Sequence, residues 1–324
     1  MMAADPAPGT LLLLLMALAL DAVLPERRPP FDRIAHPVRV VGAFVAHLER
    51  RWNDARRSAA ARRALGVLCA FVVVGAAGVS GLAIHALAAA LPFGWLLELA
   101  AVVSLLAWSS LAAHVRRVAA PLAAGDLTGA RAAVAAIVGR DTTALDEAGI
   151  ARAAIESLAE NLSDAVVAPA LWYAALGLPG LAAFKAVSTL DSMIGHRSDR
   201  YLAFGWASAR ADDVANLVPA RLTAGLIAVA AVPEGRVRVA LAAAWRDARR
   251  HLSPNAGWPE AAMAGALGLS LGGPRRYGSE TVNGAWFGNG RREARADDIG
   301  DALRVAGRAV ALLGAFLAVV WALT

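Results

Sequence analysis

Three carboxylates, Glu156, Glu160 and Asp164, recur every four residues in the run ESLAENLSD. Each step of four turns a helix by only about 40°, so the three acids form one stripe on a helix face. Farther along, Asp212 and Asn216 share a face, with Asp213 beside them. Two acid-bearing helices brought face to face supply the hard oxygen donors that Mg²⁺ takes when it bridges to phosphate oxygens. Glu156, Glu160, Asp164, Asp212 and Asp213 are therefore the candidate metal ligands. Ion pairing with the chain's many arginines is the alternative.

A second set could move protons or neutralise phosphate. Lys185 is the only lysine among the 32 basic residues. An ammonium inside an apolar segment needs a partner, either a phosphate group or Asp191. Asp191, His196, Asp199 and Arg200 fall within one ten-residue stretch, and His196 can accept a proton near neutral pH. Lys185, Asp191, His196 and Arg200 are the candidate catalytic residues. The polar loop from Ser253 through Asn255 and Trp258 to Glu260 opens a helix whose N-terminal N–H groups can receive an anion. Trp206 and Trp258 each follow a glycine, which permits close approach of a ligand, although an interfacial belt also recruits tryptophan. No P-loop, GxGxxG or zinc motif is present.

These groups must be positioned by an unusually apolar chain: 324 residues, 58% hydrophobic and 18% charged, with mean hydropathy +0.52. Soluble domains carry nearer a quarter charged residues. The apolar excess sits in blocks, which predicts an all-α, polytopic membrane bundle forming one domain over residues 1–324. A single cysteine, Cys69, excludes a disulfide framework within the chain and any cysteine-based zinc or iron–sulfur site. Between Glu26 and Arg63 ten arginines face four acids. Placed straight after an apolar run, this charge reads as a positive-inside signal rather than a nucleic-acid surface.

Taken in order, Thr10–Leu24 predicts an uncleaved first helix with its N-terminus outside and the chain from Arg27 inside. Phe31–Arg63 holds an amphipathic surface helix whose apolar stripe is Val38, Val41, Phe44, Val45 and Leu48, with His36 and Pro37 at its start. Leu65–Leu91 is long enough to span, Pro92-Phe93-Gly94 is a tight outer turn, and Trp95–Ala113 returns. His85 and Glu98 fall inside these spans and either pack or line a cavity. Asp126 caps a helix running through Gly139, and Thr143 with Asp146 starts another over Ala144–Asn161. From Asp164 to Leu190 the run is apolar but broken at Pro169 and at Gly177-Leu178-Pro179-Gly180. Each half is too short to cross, so a re-entrant hairpin is expected. Leu217–Val232 is undecided, Glu260–Gly273 is small and apolar, and Leu303–Leu323 is a final span.

The blocks ESLAENLSDAVVAP, FKAVSTLDSMIGHRSDRY, FGWASARADDVANLVPARLTA and SPNAGWPEAAMAGALGLSLGGP resemble the signature blocks of the membrane-bound adenosylcobinamide-phosphate synthase family of cobalamin biosynthesis. LDAVLPERRPP…HPVRVVG and GNGRREARADDI extend the resemblance over nearly the whole chain. Ser188, Leu162 and Ala165 depart from it, standing where Asn, Thr and Gly are usual.

The resemblance implies a multi-pass enzyme of the bacterial cytoplasmic membrane with its site on the cytoplasmic side. The implied reaction is ATP- and Mg²⁺-dependent amide formation between adenosylcobyric acid and aminopropanol or its phosphate, in the company of membrane lipid and other late-pathway membrane enzymes. Asn161, Asn216 and Asn255 would then meet corrin amides. With Arg221, Ser253, Trp258 and Glu260 they make up the candidate substrate contacts. Two other classes are compatible with the residues alone: a Mg²⁺-dependent transferase acting on a lipid diphosphate, and a non-catalytic corrinoid-binding membrane protein.

Overall fold

A computed structural model describes residues 8–24, 37–277, 280–282 and 284–324. The expected charge reversal at Arg27, His36 and most of LPERRPP lie outside the described residues. The helices are α1 (Thr10–Val23), α2 (Pro37–Trp52), α3 (Ala59–Ala90), α4 (Trp95–Leu105), α5 (Trp108–Ala123), α6 (Leu127–Ala135), α7 (Glu147–Leu162), α8 (Ala168–Ile194), α9 (Trp206–Ala215), α10 (Leu217–Ala230), α11 (Val237–Asp247), α12 (Gly257–Leu267) and α13 (Ala296–Leu323). Short strands β1 (Leu271–Gly272), β2 (Arg275–Tyr277), β3 (Glu280–Val282) and β4 (Trp286–Phe287) intervene before α13. Among the described residues four helical stretches are long and apolar enough to cross a membrane, or five if α9 and α10 count as one broken span. The chain is a helical membrane protein.

Contacts divide the chain into two compact units. The first comprises residues 1–107, 168–216 and 320–324, and the second 108–167 and 217–319.

In the first unit α3 is the longest helix. Ser58 caps it by accepting the Ala61 N–H at 3.2 Å. Its Cys69 and Val73 pack with Val45 and Leu48 of α2, Ala186, Leu190 and Ile194 of α8, and Phe204. The stripe expected on α2 is thus only partly the buried one: Val45 and Leu48 go inward, Phe44 stays exposed, and Glu49 is buried beside them. Gly66 matters because a Cβ there would lie 1.8 Å from the Phe204 carbonyl oxygen. Only hydrogen lets the two backbones meet.

α8 is interrupted at Gly177, where the chain doubles back. Gly177 sits at φ 64°, ψ −158°, a conformation essentially confined to glycine. On either side of it the rings of Trp172 and Phe184 stack with centroids 6.3 Å apart. Twelve residues of straight helix would separate them by about 18 Å. Residues 168–176 and 178–194 are therefore the two arms of a hairpin, as the broken apolar run predicts. Gly180 brings the arms together, since a Cβ there would lie 2.7 Å from the Trp172 carbonyl oxygen. The tip rests on α3 at Gly81, where a Cβ would come within 2.8 Å of the Leu178 carbonyl oxygen.

Glu98 on α4 settles the question of the polar residues within the apolar helices. Tyr173 of the hairpin donates to its Oε1 at 2.9 Å, and His85 Nδ1 lies 2.8 Å from its Oε2. The carboxylate is a buried packing group that ties the first arm to α3 and α4.

In the second unit Asp126 caps α6 as expected, accepting the Gly129 N–H at 2.8 Å, but the helix ends at Ala135 rather than Gly139. The cap of α7 is Asp146 itself, which accepts the Gly149 N–H at 2.7 Å. Thr143 instead donates to Asp141 in the preceding turn. The expected start at Ala144 is corrected to Glu147 because the aspartate, not the threonine, holds the N-cap position. Past its first turn α12 is small and apolar, and it is buried almost throughout. Gly265 packs so closely on α11 that a Cβ would lie 2.6 Å from Ala240 Cα. After Gly268 (φ 67°) the chain enters strands that the helical reading did not foresee, with Leu271 opposite Phe287 and Gly272 opposite Trp286.

Candidate functional site

The acidic stripe lies in the second unit, on α7 and just beyond it. Glu156 is buried. Arg140 donates to its Oε2 at 3.0 Å, and the Gly272 N–H to its Oε1 at 2.7 Å. Both oxygens thus bind other parts of the chain, the ion-pair role that was the alternative for each acid. Glu160 and Asp164 are partly exposed, and between them α7 passes into a π-helical turn at Ser163–Val167. Such turns take backbone groups out of the regular ladder and recur at functional positions. Ser163 is buried, and its hydroxyl has no hydrogen-bond partner among the described residues. Asn161 donates from Nδ2 to the Ser157 carbonyl at 2.9 Å.

The loop before α12 builds a second cluster in the same unit. Ser253 Oγ accepts the N–H groups of Asn255 and Ala256, each at 3.2 Å. His251 Nδ1 in turn accepts the Ser253 N–H at 2.9 Å. Glu260 is buried in the first turn of α12, where the helix dipole favours a carboxylate, with its Oε1 3.7 Å from His251 Nε2. Arg221 of α10 lies over the Trp258 ring at 4.7 Å, and Trp245 meets that ring edge-on at 5.7 Å. Arg221, Ser253, Asn255, Trp258 and Glu260 therefore share one neighbourhood, with Arg221 exposed, Ser253 half-buried and the other three inside.

Sequence reading passed over Asp247, which anchors this region. It is 1% exposed. Arg246 forks onto it at 2.8 and 2.5 Å, Arg250 reaches it at 3.3 Å, and the Gly288 N–H donates to it at 2.8 Å. Burial opposes its charge, but these donors outweigh burial and hold its carboxyl below the usual range. A lone acid among three arginines in RDARR was the available signal.

In the first unit the loop after α8 carries the remaining candidates. Arg200 does not present a free fork: Nε and Nη2 bind Glu49 Oε1 and Oε2 at 3.0 and 2.9 Å. Asn53 donates to the Arg200 carbonyl at 3.0 Å, and Arg62 donates to it as well. Burial disfavours the Glu49 charge, while the Arg200 and Asn53 hydrogen bonds more than offset this and keep its carboxyl below the usual range. His196 is exposed on the clamped loop. Asp191 lies within electrostatic range of Asp213 on α9 and of His196, so one acid of the metal set and two catalytic candidates come together. Asp212 Oδ2 accepts from Asn216 Nδ2 at 3.1 Å. Asn216 is buried where α9 breaks, and its Oδ1 has no hydrogen-bond partner among the described residues. Lys185 is half-buried in the second arm, one turn before Thr189, whose hydroxyl donates to its carbonyl at 2.6 Å.

Among the described residues no three His, Cys, Asp or Glu side chains cluster to hold a metal by themselves. Asp213 also pairs with Arg210 at 2.8 Å; Mg²⁺ bound through substrate phosphates needs only one or two protein carboxylates.

Residues 14–306 match the family described as CobD/Cbib protein. The chain belongs to the CobD/Cbib family. Members named "Cobalamin biosynthesis protein CobD" match it nearly end to end. The Rhodobacter capsulatus protein is 48% identical over 320 residues, covering 96% of this chain and 98% of that one. The Brucella suis protein is 48% identical over 302 residues, 90% of this chain and 91% of that one. The Rhizobium meliloti protein is 48% identical over 300 residues, 91% and 92% respectively. No solved structure matches the chain. Membership in the CobD/Cbib family covers every candidate residue above, because all lie between positions 14 and 306.

Proposed function

We propose that this membrane protein acts in cobalamin biosynthesis by joining adenosylcobyric acid to aminopropanol, or its phosphate, in amide linkage at the expense of ATP. The role in cobalamin biosynthesis rests on family membership and on relatives named for that pathway. The observation that carries the finer reading is the polar stretch from Glu156 to Arg221. It is interrupted by a π-helical turn and again at Asn216, and each break buries a polar atom, Ser163 Oγ or Asn216 Oδ1, that lacks a protein partner among the described residues. Broken helices with buried polar groups at membrane depth are how transport and catalytic proteins build sites for polar molecules.

In this reading the substrate carboxylate attacks the terminal phosphorus of ATP and ADP leaves. The amine then attacks the acyl carbon, inorganic phosphate leaves, and the amine gives up a proton. Within the second unit Glu160 and Asp164, and within the first Asp212 with Asp213, are acids of the kind that suits Mg²⁺, which when bound would neutralise charge on the phosphates. Lys185 contributes a compact positive charge toward the transferring phosphoryl group. His196, with Asp191 close by, accepts the amine proton. Arg200, forked onto Glu49, serves by holding the His196 loop in place. Arg221, Trp258 and Asn161 of the second unit offer cationic, aromatic and amide contacts to a large amide-bearing ring.

The test is direct. Purified protein is incubated with adenosylcobyric acid, ATP–Mg²⁺ and either amine, and product mass is measured. A mass gain equal to the amine minus water, with one ADP formed per product, is expected. Retained affinity for adenosylcobyric acid with no turnover in either arm would instead select a corrinoid-binding protein.

A further inference from the structure

The helices α5 and α13 meet in the second unit where the Trp108 ring lies against Gly307, 3.5 Å from where a Cβ would sit. Away from that crossing the facing residues are small, among them Ala119, Ala120 and Gly300. Neighbouring helices run about 8–10 Å apart and rely on side chains to fill the gap. Here they leave a cleft of about 840 Å³, lined by Arg116 on α5 and by Asp297, Asp301 and Arg304 on α13. Both helices belong to stretches able to cross a membrane. The cleft occupies their charged ends, and the uninterrupted apolar run of α13 begins one turn farther on, after Arg308. It therefore sits at the level of lipid headgroups.

We propose that this cleft binds the headgroup of a zwitterionic phospholipid carrying a primary ammonium, of the phosphatidylethanolamine class. Two arginines suit a phosphate diester, which takes forked N–H donors, and two carboxylates suit an ammonium with three N–H donors. The four charges sum to zero, as do those of the headgroup. An anionic lipid would leave both aspartates opposed to it. A choline headgroup has no N–H to give and favours an aromatic cage, whereas no aromatic ring lines this cleft. Asp301 and Arg304 pair with each other and are well exposed, so the cleft presents both signs of charge side by side. The site is separate from the proposed reaction and uses none of its residues.

The test offers detergent-stripped protein an equimolar mixture of phosphatidylethanolamine, phosphatidylcholine and phosphatidylglycerol, and counts retained lipids by native mass spectrometry. The wild type should retain the ethanolamine lipid roughly tenfold over either competitor, the ratio expected for one lost charge-assisted contact. R116Q/R304Q should lose that retention. D297N/D301N, with the cleft now net positive, should switch preference to phosphatidylglycerol. A120W should lose retention by filling the cleft. Should A120W fail to fold, the charge variants still decide, since all four positions are at the surface. Equal retention of the three lipids by the wild type, or an unchanged preference in both charge variants, overturns the proposal. So does binding of soluble phosphoethanolamine as tight as that of the lipid, which would make the cleft a site for a free amino phosphate.

Discussion

The guanidinium of Arg200 forks onto the Glu49 carboxylate across 151 positions of sequence, at 3.0 and 2.9 Å. An arginine so used fixes backbone, and its own carbonyl is held in turn by Asn53 and Arg62. Glu49 has its carboxyl depressed in the folded protein. Its contribution to stability is therefore complete above the unfolded carboxylate value of about 4.3 and is lost as pH falls through the lower folded value. E49Q should lower the unfolding temperature at neutral pH and flatten its decline in acid. R200K should do likewise, because an ammonium cannot fork. If R200K leaves unfolding unchanged but raises the KM for ATP, Arg200 belongs to the phosphate site after all.

The hairpin in α8 makes a prediction that a straight helix does not share. With Cys69 replaced by alanine, cysteines at 172 and 184 should be joined in intact membranes by a bifunctional reagent spanning less than about 10 Å, against about 18 Å along a straight helix. Absence of cross-linking would refute the fold-back at Gly177. G177A should lower membrane abundance, since φ 64°, ψ −158° is closed to alanine.

Much of this was legible because hydrocarbon restricts what a chain can do. An apolar run interrupted by Gly-Leu-Pro-Gly has no straight way across, so the hairpin at Gly177 could be read from spacing alone. What could not be read were contacts distant in sequence. Nothing near Arg200 marks Glu49 as its partner, and nothing near Glu156 marks Gly272, because each pairing is made by tertiary packing. The short strands after Gly268 were hidden for another reason. Their glycines sit at positive φ to make turns, and the alternation of Leu267, Leu269 and Leu271 is too short to tell a strand from the end of an apolar helix. Ser163 shows the limit most sharply: a serine between Leu162 and Asp164 reads as an ordinary helix residue until a π-helical turn leaves its hydroxyl buried.

Three of the remaining acids should separate from Glu156. E160Q, D164N and D212N are each expected to abolish turnover while the protein still accumulates in the membrane, with partial recovery at raised Mg²⁺ for any that ligates the ion. E156Q should instead lower abundance, because Arg140 would be left buried beside a neutral amide. Abundance and a Mg²⁺ titration, measured on all four variants, check this. Near-normal activity in all of the first three would return the whole stripe to ion pairing.

Lys185 gives the most discriminating substitution. The chain places arginine at every other basic position, so a lysine in the second arm points to a need for a compact ammonium rather than for any cation. Guanidinium is larger, planar and forked. If Lys185 meets the transferring phosphoryl group, its contact strengthens toward the transition state. K185R should then lower kcat by roughly 10²-fold or more and move the KM for adenosylcobyric acid little. If it only balances Asp191, K185R should be mild and K185M should reduce membrane abundance. Measuring kcat, both KM values and abundance for the two variants distinguishes these outcomes, and wild-type kinetics in K185R would remove Lys185 from the site.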